Sequence, residues 1–184
     1  IYGILGMLPF LFGGHMLRPS AAFFEAMSGF TTTGSTAFTN IDVLPHSILL
    51  WRSITHWVGG MGIIFFTLAL LPALGIGEQE LFSAEATGLK LGKLHSRVST
   101  TAHYLWSTYL LITIACAIAY RLCGMNTFDA INHSFATIAT GGFSTHTASI
   151  AYFNSPAIEY VSVFFMFLGS VNFSLLYFMI FKQR

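Results

Sequence analysis

Two short stretches carry the residues whose types and order can do chemistry. They are Thr31-Thr32-Thr33-Gly34, within SGFTTTGST, and Thr140-Gly141, within FATIATGGFST. What they offer is oxygen. Glycine permits backbone dihedrals that turn successive carbonyls to one side. A column of carbonyls that replaces a hydration shell is how a cation filter works, and threonine hydroxyls add ligands at its lower end. Enzyme signatures are missing from the sequence: it has no His-Glu-x-x-His, no nucleophile–base pattern and no paired aspartates in an apolar run. The seven histidines are scattered, with no His-x-x-x-His pair to hold a metal.

The elements that must position these stretches follow from composition. The chain of 184 residues is 54% hydrophobic and only 8% charged, against roughly 25% charged in soluble domains. Such a chain cannot dress an aqueous surface, which excludes an ordinary soluble enzyme. The net charge is +1, so no basic excess exists to collect the phosphates of a nucleic acid. Cys116 and Cys123 lie in or at the end of an apolar run; they suggest packing residues, not a disulfide framework or zinc ligands.

No Asp, Glu, Lys or Arg occurs from Ser53 to Gly77, from Val98 to Tyr120, or from Tyr160 to Phe181. A bilayer-spanning helix needs ~20 apolar residues. Three complete spans are therefore expected, over 49–74, 101–122 and 157–181. Residues 1–17 read as the end of a fourth, and the chain as a piece of a longer protein. Lys90, Lys93 and Arg97 in the linker 75–99, with Lys182 and Arg184 at the end, predict that these two regions are cytoplasmic.

Between the spans, Pro19–Asn40 and Thr127–Thr147 are too apolar for loops and too short or polar for spans. Each opens with a potential short helix. Pro19 suits a first helical turn, and Asp129 complements the dipole at the start of the second. At an offset of 107, Thr33-Gly34 falls on Thr140-Gly141, Glu25 on Asn132, Phe24 on Ile131 and Ala22 on Asp129. After a further shift of three, Trp57-Val58-Gly59-Gly60 falls on Phe167-Leu168-Gly169-Ser170. The repeated order is span, short helix, Thr-Gly segment, span. Flanking spans of the same polarity make each short element re-entrant, and irregular backbone at membrane depth must be buried or line water. A half-helix descending from outside aims the negative end of its dipole at the bilayer middle.

The stretches SGFTTTGST, HWVGGMGIIFFTLALLPALGIGEQELFSAE and FDAINHSFATIATGGFSTHTASI resemble the TrkH branch of the Trk/Ktr/HKT cation transporters. The resemblance implies an all-α polytopic membrane protein of pore-loop repeats, two of an expected four, set pseudo-fourfold around one pore. Residues 1–74 resemble a first unit: a truncated outer helix, pore helix 20–29, filter 31–35 and inner helix 49–74. Residues 75–99 would be the cytoplasmic linker. Residues 100–184 resemble a second unit, with outer helix 101–122, pore helix 128–137, filter 138–142 and inner helix 157–181. The potassium-binding filter maps to Thr31, Thr32, Thr33 and Gly34 in the first unit, and to Ile138, Ala139, Thr140 and Gly141 in the second. Glu25, Asn132 and Gly142 would stand behind it. The resemblance further implies potassium uptake in a bacterial inner membrane, a homodimer, and a cytosolic TrkA-type nucleotide-binding regulatory subunit. It implies no cofactor beyond the transported K+. In plant relatives, Ser in place of the first filter's glycine goes with sodium preference, so Gly34 implies a K+-permeable pore.

Several features keep two readings. Glu25 is either a cation attractor or, the favoured reading, a carboxylate bonded to filter backbone and matched by Asn132. Asp42, Asp129 and Glu159 would form a weakly negative mouth, or Asp129 simply starts a helix. Gly59, Gly60 and Gly62 mark a gating hinge or, more simply, close helix packing. Asn172 makes an interhelical hydrogen bond or faces the ion path. The linker is an interfacial helix or a docking surface. A sodium- or proton-coupled carrier with broken helices is the alternative function, although such carriers commonly use inverted repeats.

Overall fold

The computed structural model describes residues 2–14, 18–73 and 94–170, with side chains described outside 63–73 and 94–104. The expectations for Asn172, for most of the linker and for the far end of the last span lie outside the described residues.

Among the described residues six α-helices follow one another: α1 Tyr2–Phe12, α2 Pro19–Phe30, α3 His46–Ala73, α4 Leu94–Leu122, α5 Thr127–Ile138 and α6 Pro156–Ser170. A short 3-10 helix, Ser149–Phe153, precedes α6. The described residues contain no strand. At 1.5 Å per residue, the 28 residues of α3 reach about 42 Å, longer than the ~30 Å hydrocarbon core. The 12 residues each of α2 and α5 reach about 18 Å, which ends them part-way through such a layer.

The helices pack as two similar triads. In the first, α2 packs between α1 and α3; in the second, α5 packs between α4 and α6. Contact between α3 and α5 joins the triads. Gly3 and Gly6 let α1 close on Met27 and Phe30 of α2, and Trp51 of α3 donates its indole N–H to the Gly6 carbonyl at 3.0 Å. In the second triad, the Tyr120 hydroxyl donates to Ser162 at 2.9 Å and accepts from Thr137 at 2.7 Å. One side chain thus ties α4, α5 and α6.

The polarity of these helices is inverted relative to a water-soluble bundle. Leu110, Leu111, Ile114 and Ile118 form an exposed stripe on α4, while Thr108, Thr113 and Tyr120 are buried. On α6, Tyr160, Val163, Phe164 and Phe167 are exposed and Ser162 is buried. A surface helix in water turns its apolar stripe inward. Apolar outside and hydrogen-bonded hydroxyls inside is the arrangement that lipid selects. The window Leu105–Leu122, with mean hydropathy 1.5, is long and apolar enough to cross a membrane.

Candidate functional site

The backbone repeats itself at an offset of 108, with Pro19 falling on Thr127 and Phe30 on Ile138. Both short helices end in the same turn. Thr32 N–H bonds to the Gly29 carbonyl and Thr33 N–H to Ser28, at 3.0 and 2.9 Å; Thr140 bonds to Thr137 and Gly141 to Ala136 at the same distances. These are the 5→2 and 6→1 bonds of a Schellman ending. That ending needs a left-handed residue just past the cap, usually glycine. Here it is threonine both times, Thr32 at φ +53° and Thr140 at φ +51°. A β-branched residue there carries strain on the order of 1–2 kcal/mol. Gly34 at φ +78° and Gly142 at φ +92° follow two residues later.

The match corrects the sequence register by one residue. Identity of Thr33-Gly34 with Thr140-Gly141 favours 107, but two adjacent glycines admit either choice. Hydrogen bonds and φ values select Gly142, not Gly141, as the partner of Gly34. The second segment is therefore Ala139, Thr140, Gly141 and Gly142. Ile138 is the last residue of α5, as Phe30 is of α2. Their carbonyls are crossed in the same way: a Cβ on Gly59 would meet the Phe30 oxygen, and one on Gly169 the Ile138 oxygen. On the inner helices the expected alignment of Gly59 with Gly169 is the structural one.

The two segments lie side by side, and a Cβ on Gly34 would collide with the Gly141 carbonyl oxygen. The C-terminal ends of α2 and α5, each carrying about half a negative charge, thus converge. Thr31, Thr33, Thr140 and Gly142 are exposed, whereas Ile138, Ala139 and Gly141 are buried. The Thr31 hydroxyl donates to the Met27 carbonyl and takes a hydrogen bond from Thr33, both at 2.8 Å.

Behind the first segment, Glu25 is fully buried. Its carboxylate accepts from the Thr36 hydroxyl at 2.9 Å, the Ala37 N–H at 2.8 Å and the Arg52 Nε at 2.8 Å. That is the bonded carboxylate of the favoured reading, with the addition of Arg52. The residue at the matching place is His133, not Asn132. A carbonyl only accepts, so His133 donates from Nδ1 to the Asp129 oxygen, and Nε2 accepts from Ser144, both at 2.9 Å. Asn132 sits one position round the helix, bonded to the Phe128 carbonyl at 2.7 Å.

Arg52 and His56, one turn apart on α3, escape the sequence reading and join the two triads. Arg52 Nη1 donates to the Ser144 carbonyl at 3.0 Å, and its guanidinium lies 4.2 Å over the Phe143 ring. His56 stacks on Phe143 at 4.0 Å and 13°. A charge inside a membrane needs a partner, so Arg52 and Glu25 together were the available clue; His56 left none.

At the N-terminal end of α5 a second junction forms. The Asn126 side chain caps α5 by accepting from the Asp129 N–H at 2.7 Å. His146 lies between Asp42 at 3.0 Å and Asp129 at 3.2 Å, and its ring stacks on Tyr152 at 3.5 Å. The Thr147 hydroxyl, and after it His146, hold the Asp42 carboxyl below the usual carboxylate range. A cavity of about 690 Å³ lies between Asp42, His46, Asn126, Asp129, His146 and Tyr152. Of the three acids expected at a mouth, two are committed to His146, and Glu159 is exposed in the first turn of α6.

A family model described as TrkH, cation transport protein, matches residues 4–184. The chain is 49% identical over 177 residues to the Trk system potassium uptake protein TrkH of Escherichia coli (strain K12), covering 95% of this chain and 37% of that protein. It is 47% identical over 186 residues to the TrkH of Halomonas elongata, covering 100% of this chain and 38% of the relative. The crystal structure of the potassium transporter TrkH from Vibrio parahaemolyticus matches with a TM-score of 0.85 at 44% identity, over 100% of this chain and 36% of that one. The chain thus spans little more than a third of the length of the relatives it matches.

Proposed function

Because the chain belongs to the TrkH family of cation transport proteins, we propose that it forms two adjacent pore-loop units of a potassium uptake protein. K+ sheds water at the carbonyl oxygens of 31–34 and 139–142, then passes between the inner helices α3 and α6. The observation that carries this reading is the paired turn. Two left-handed threonines and two glycines recur at the same offset, at the converging negative ends of α2 and α5. Fixed carbonyls at helix C-termini replace hydration oxygens at little reorganisation cost. Glu25, bonded to Arg52 and to the segment after the first turn, holds the filter and does not meet the ion.

K+ is the bound and transported species; Thr31, Thr32, Thr33 and Gly34 supply one side of the path, and Ala139, Thr140, Gly141 and Gly142 the next. The remainder of the ring comes from the rest of the protein. The protein lies in the inner membrane with 75–99 and 182–184 on the cytoplasmic side, works as a homodimer, and is regulated by a cytosolic TrkA-type subunit. A coupled carrier with broken helices would commonly use inverted repeats; here the segments that follow α2 and α5 run side by side in the same direction, Gly34 against Gly141 and Ile41 bonded to Thr147, which favours a pore over symport.

The test is flux through the full-length protein in liposomes. K+ entry faster than Na+ entry, and unchanged by an imposed proton or sodium gradient, is expected. No K+ entry would refute the transport reading, and K+ entry driven by either gradient would refute the uncoupled pore.

A further inference from the structure

We propose that His56 is a positioning residue for ion discrimination: from the inner helix of the first unit it sets the filter backbone of the second. The proposal rests on the reading of 139–142 as an ion-coordinating segment.

His56 is 0% exposed. Its ring lies flat against Phe143 at 4.0 Å and 13°, and its Nδ1 accepts the Phe143 backbone N–H at 3.4 Å. Gly141 packs on the same imidazole so tightly that a Cβ there would meet Nδ1, Cε1 and Cγ. Three contacts from one ring therefore hold the backbone from 141 to 143, on either side of Gly142. The Ser28 carbonyl, which closes the first turn by accepting from Thr33, also acts on this imidazole. His56 thus stands between the two turns.

Simple packing does not account for the choice of residue. Nδ1 accepts, so Nε2 carries the hydrogen, and no acceptor among the described residues lies within hydrogen-bond geometry of it, the Ser28 carbonyl included. A buried donor left unpaired is costly, and an apolar ring would fill the space without that cost. What the imidazole adds over a phenyl is an acceptor for the Phe143 N–H, which fixes where the neighbouring carbonyls point. The matching place on α6 holds Met166, which is 41% exposed and has no such acceptor. Among the described residues, α3 alone of the two inner helices therefore offers this support.

The experiment uses the full-length protein in liposomes, with K+ and Na+ fluxes and the KM for K+ as readouts and thermal unfolding in detergent as the check on folding. His56→Phe keeps the stack and removes the acceptor. It is expected to lower the K+/Na+ flux ratio about tenfold and to raise KM for K+, with the maximal rate changed less than about threefold; tenfold is the size of one lost buried hydrogen bond. His56→Gln restores an acceptor and should recover most of the ratio. Should His56→Phe fail to fold, His56→Met, the α6 residue at this place, carries the test with the same expected loss. Well-folded variants that lack the acceptor yet keep the wild-type ratio and KM would overturn the proposal, as would failure of His56→Gln to recover the ratio. A wild-type protein that carries no K+ overturns the transport reading first, and this proposal with it.

Discussion

Glu25 and His133 occupy the same place on the two short helices, and each bonds to the hydroxyl eleven residues further on, Thr36 and Ser144. A carboxylate and an imidazole thus do one job: both tie the segment after the turn back to the helix before it. The difference between them is charge. Glu25 brings a buried anion and requires Arg52; His133 requires no counter-ion.

Removing one member of the buried pair leaves the other uncompensated, which costs about 3–5 kcal/mol. Arg52→Met and Glu25→Gln are each expected to lower the unfolding temperature of the purified full-length protein sharply. The double variant should regain much of the loss. Singles that melt like the wild type would contradict the pairing seen at 2.8 Å.

Gly34 and Gly142 are matched in backbone but not in surroundings. A Cβ at 34 meets the Gly141 oxygen, while one at 142 meets nothing within 4 Å among the described residues. Gly142→Ala carries the left-handed strain, on the order of 1–2 kcal/mol, with no collision inside the described part of this chain. Gly34→Ser adds the collision and should lower K+/Na+ discrimination more. Equal permeability ratios in the two variants would contradict this ranking.

The inner-helix glycines separate packing from hinge. Gly59→Ala and Gly169→Ala push on the last carbonyls of α2 and α5 and should each destabilise by about 1–3 kcal/mol, the range for overpacking. Gly62, with nothing within 4 Å among the described residues, should accept alanine with unchanged transport. Loss of flux in Gly62→Ala with normal melting would restore the hinge.

Asp42 titrates lower in the folded protein than its ordinary 3.8. Its contribution to the junction with Thr147 and His146 is therefore present above pH 3.8 and lost as pH falls through the lower folded value. Asp42→Asn should melt below the wild type at neutral pH, with the gap closing under strong acid. The effect is small, because Asp42 is 46% exposed. A gap that persists unchanged in acid would argue that the carboxylate is not its source.

The architecture was legible because its signals are local. Charge-free runs marked α3 and α4, Pro19 marked the start of α2, and the Gly59–Gly169 correspondence held on the inner helices. The register of the second turn was not legible, because Gly141 and Gly142 are chemically identical until φ and hydrogen bonds distinguish them. Asn126 as the cap of α5 was overlooked beside the more obvious acid at Asp129. Arg52 and His56 were missed for a different reason: their partners at 143 and 144 lie about ninety residues away, and nothing local announces a contact across two units.

That same separation orders the protein's birth. Arg52 can reach Glu25 as soon as α3 is made, but its bond to Ser144 waits for another 92 residues, about 5–20 s of translation. The early half therefore enters the bilayer as a template, already neutralised, with one guanidinium nitrogen and one imidazole awaiting the nascent segment. A translation-arrest force profile should show a pull as 143–144 leave the translocon, absent when Arg52 and His56 are both replaced. The later loop is moulded on the earlier one, so an error in insertion of the first triad is inherited by the second.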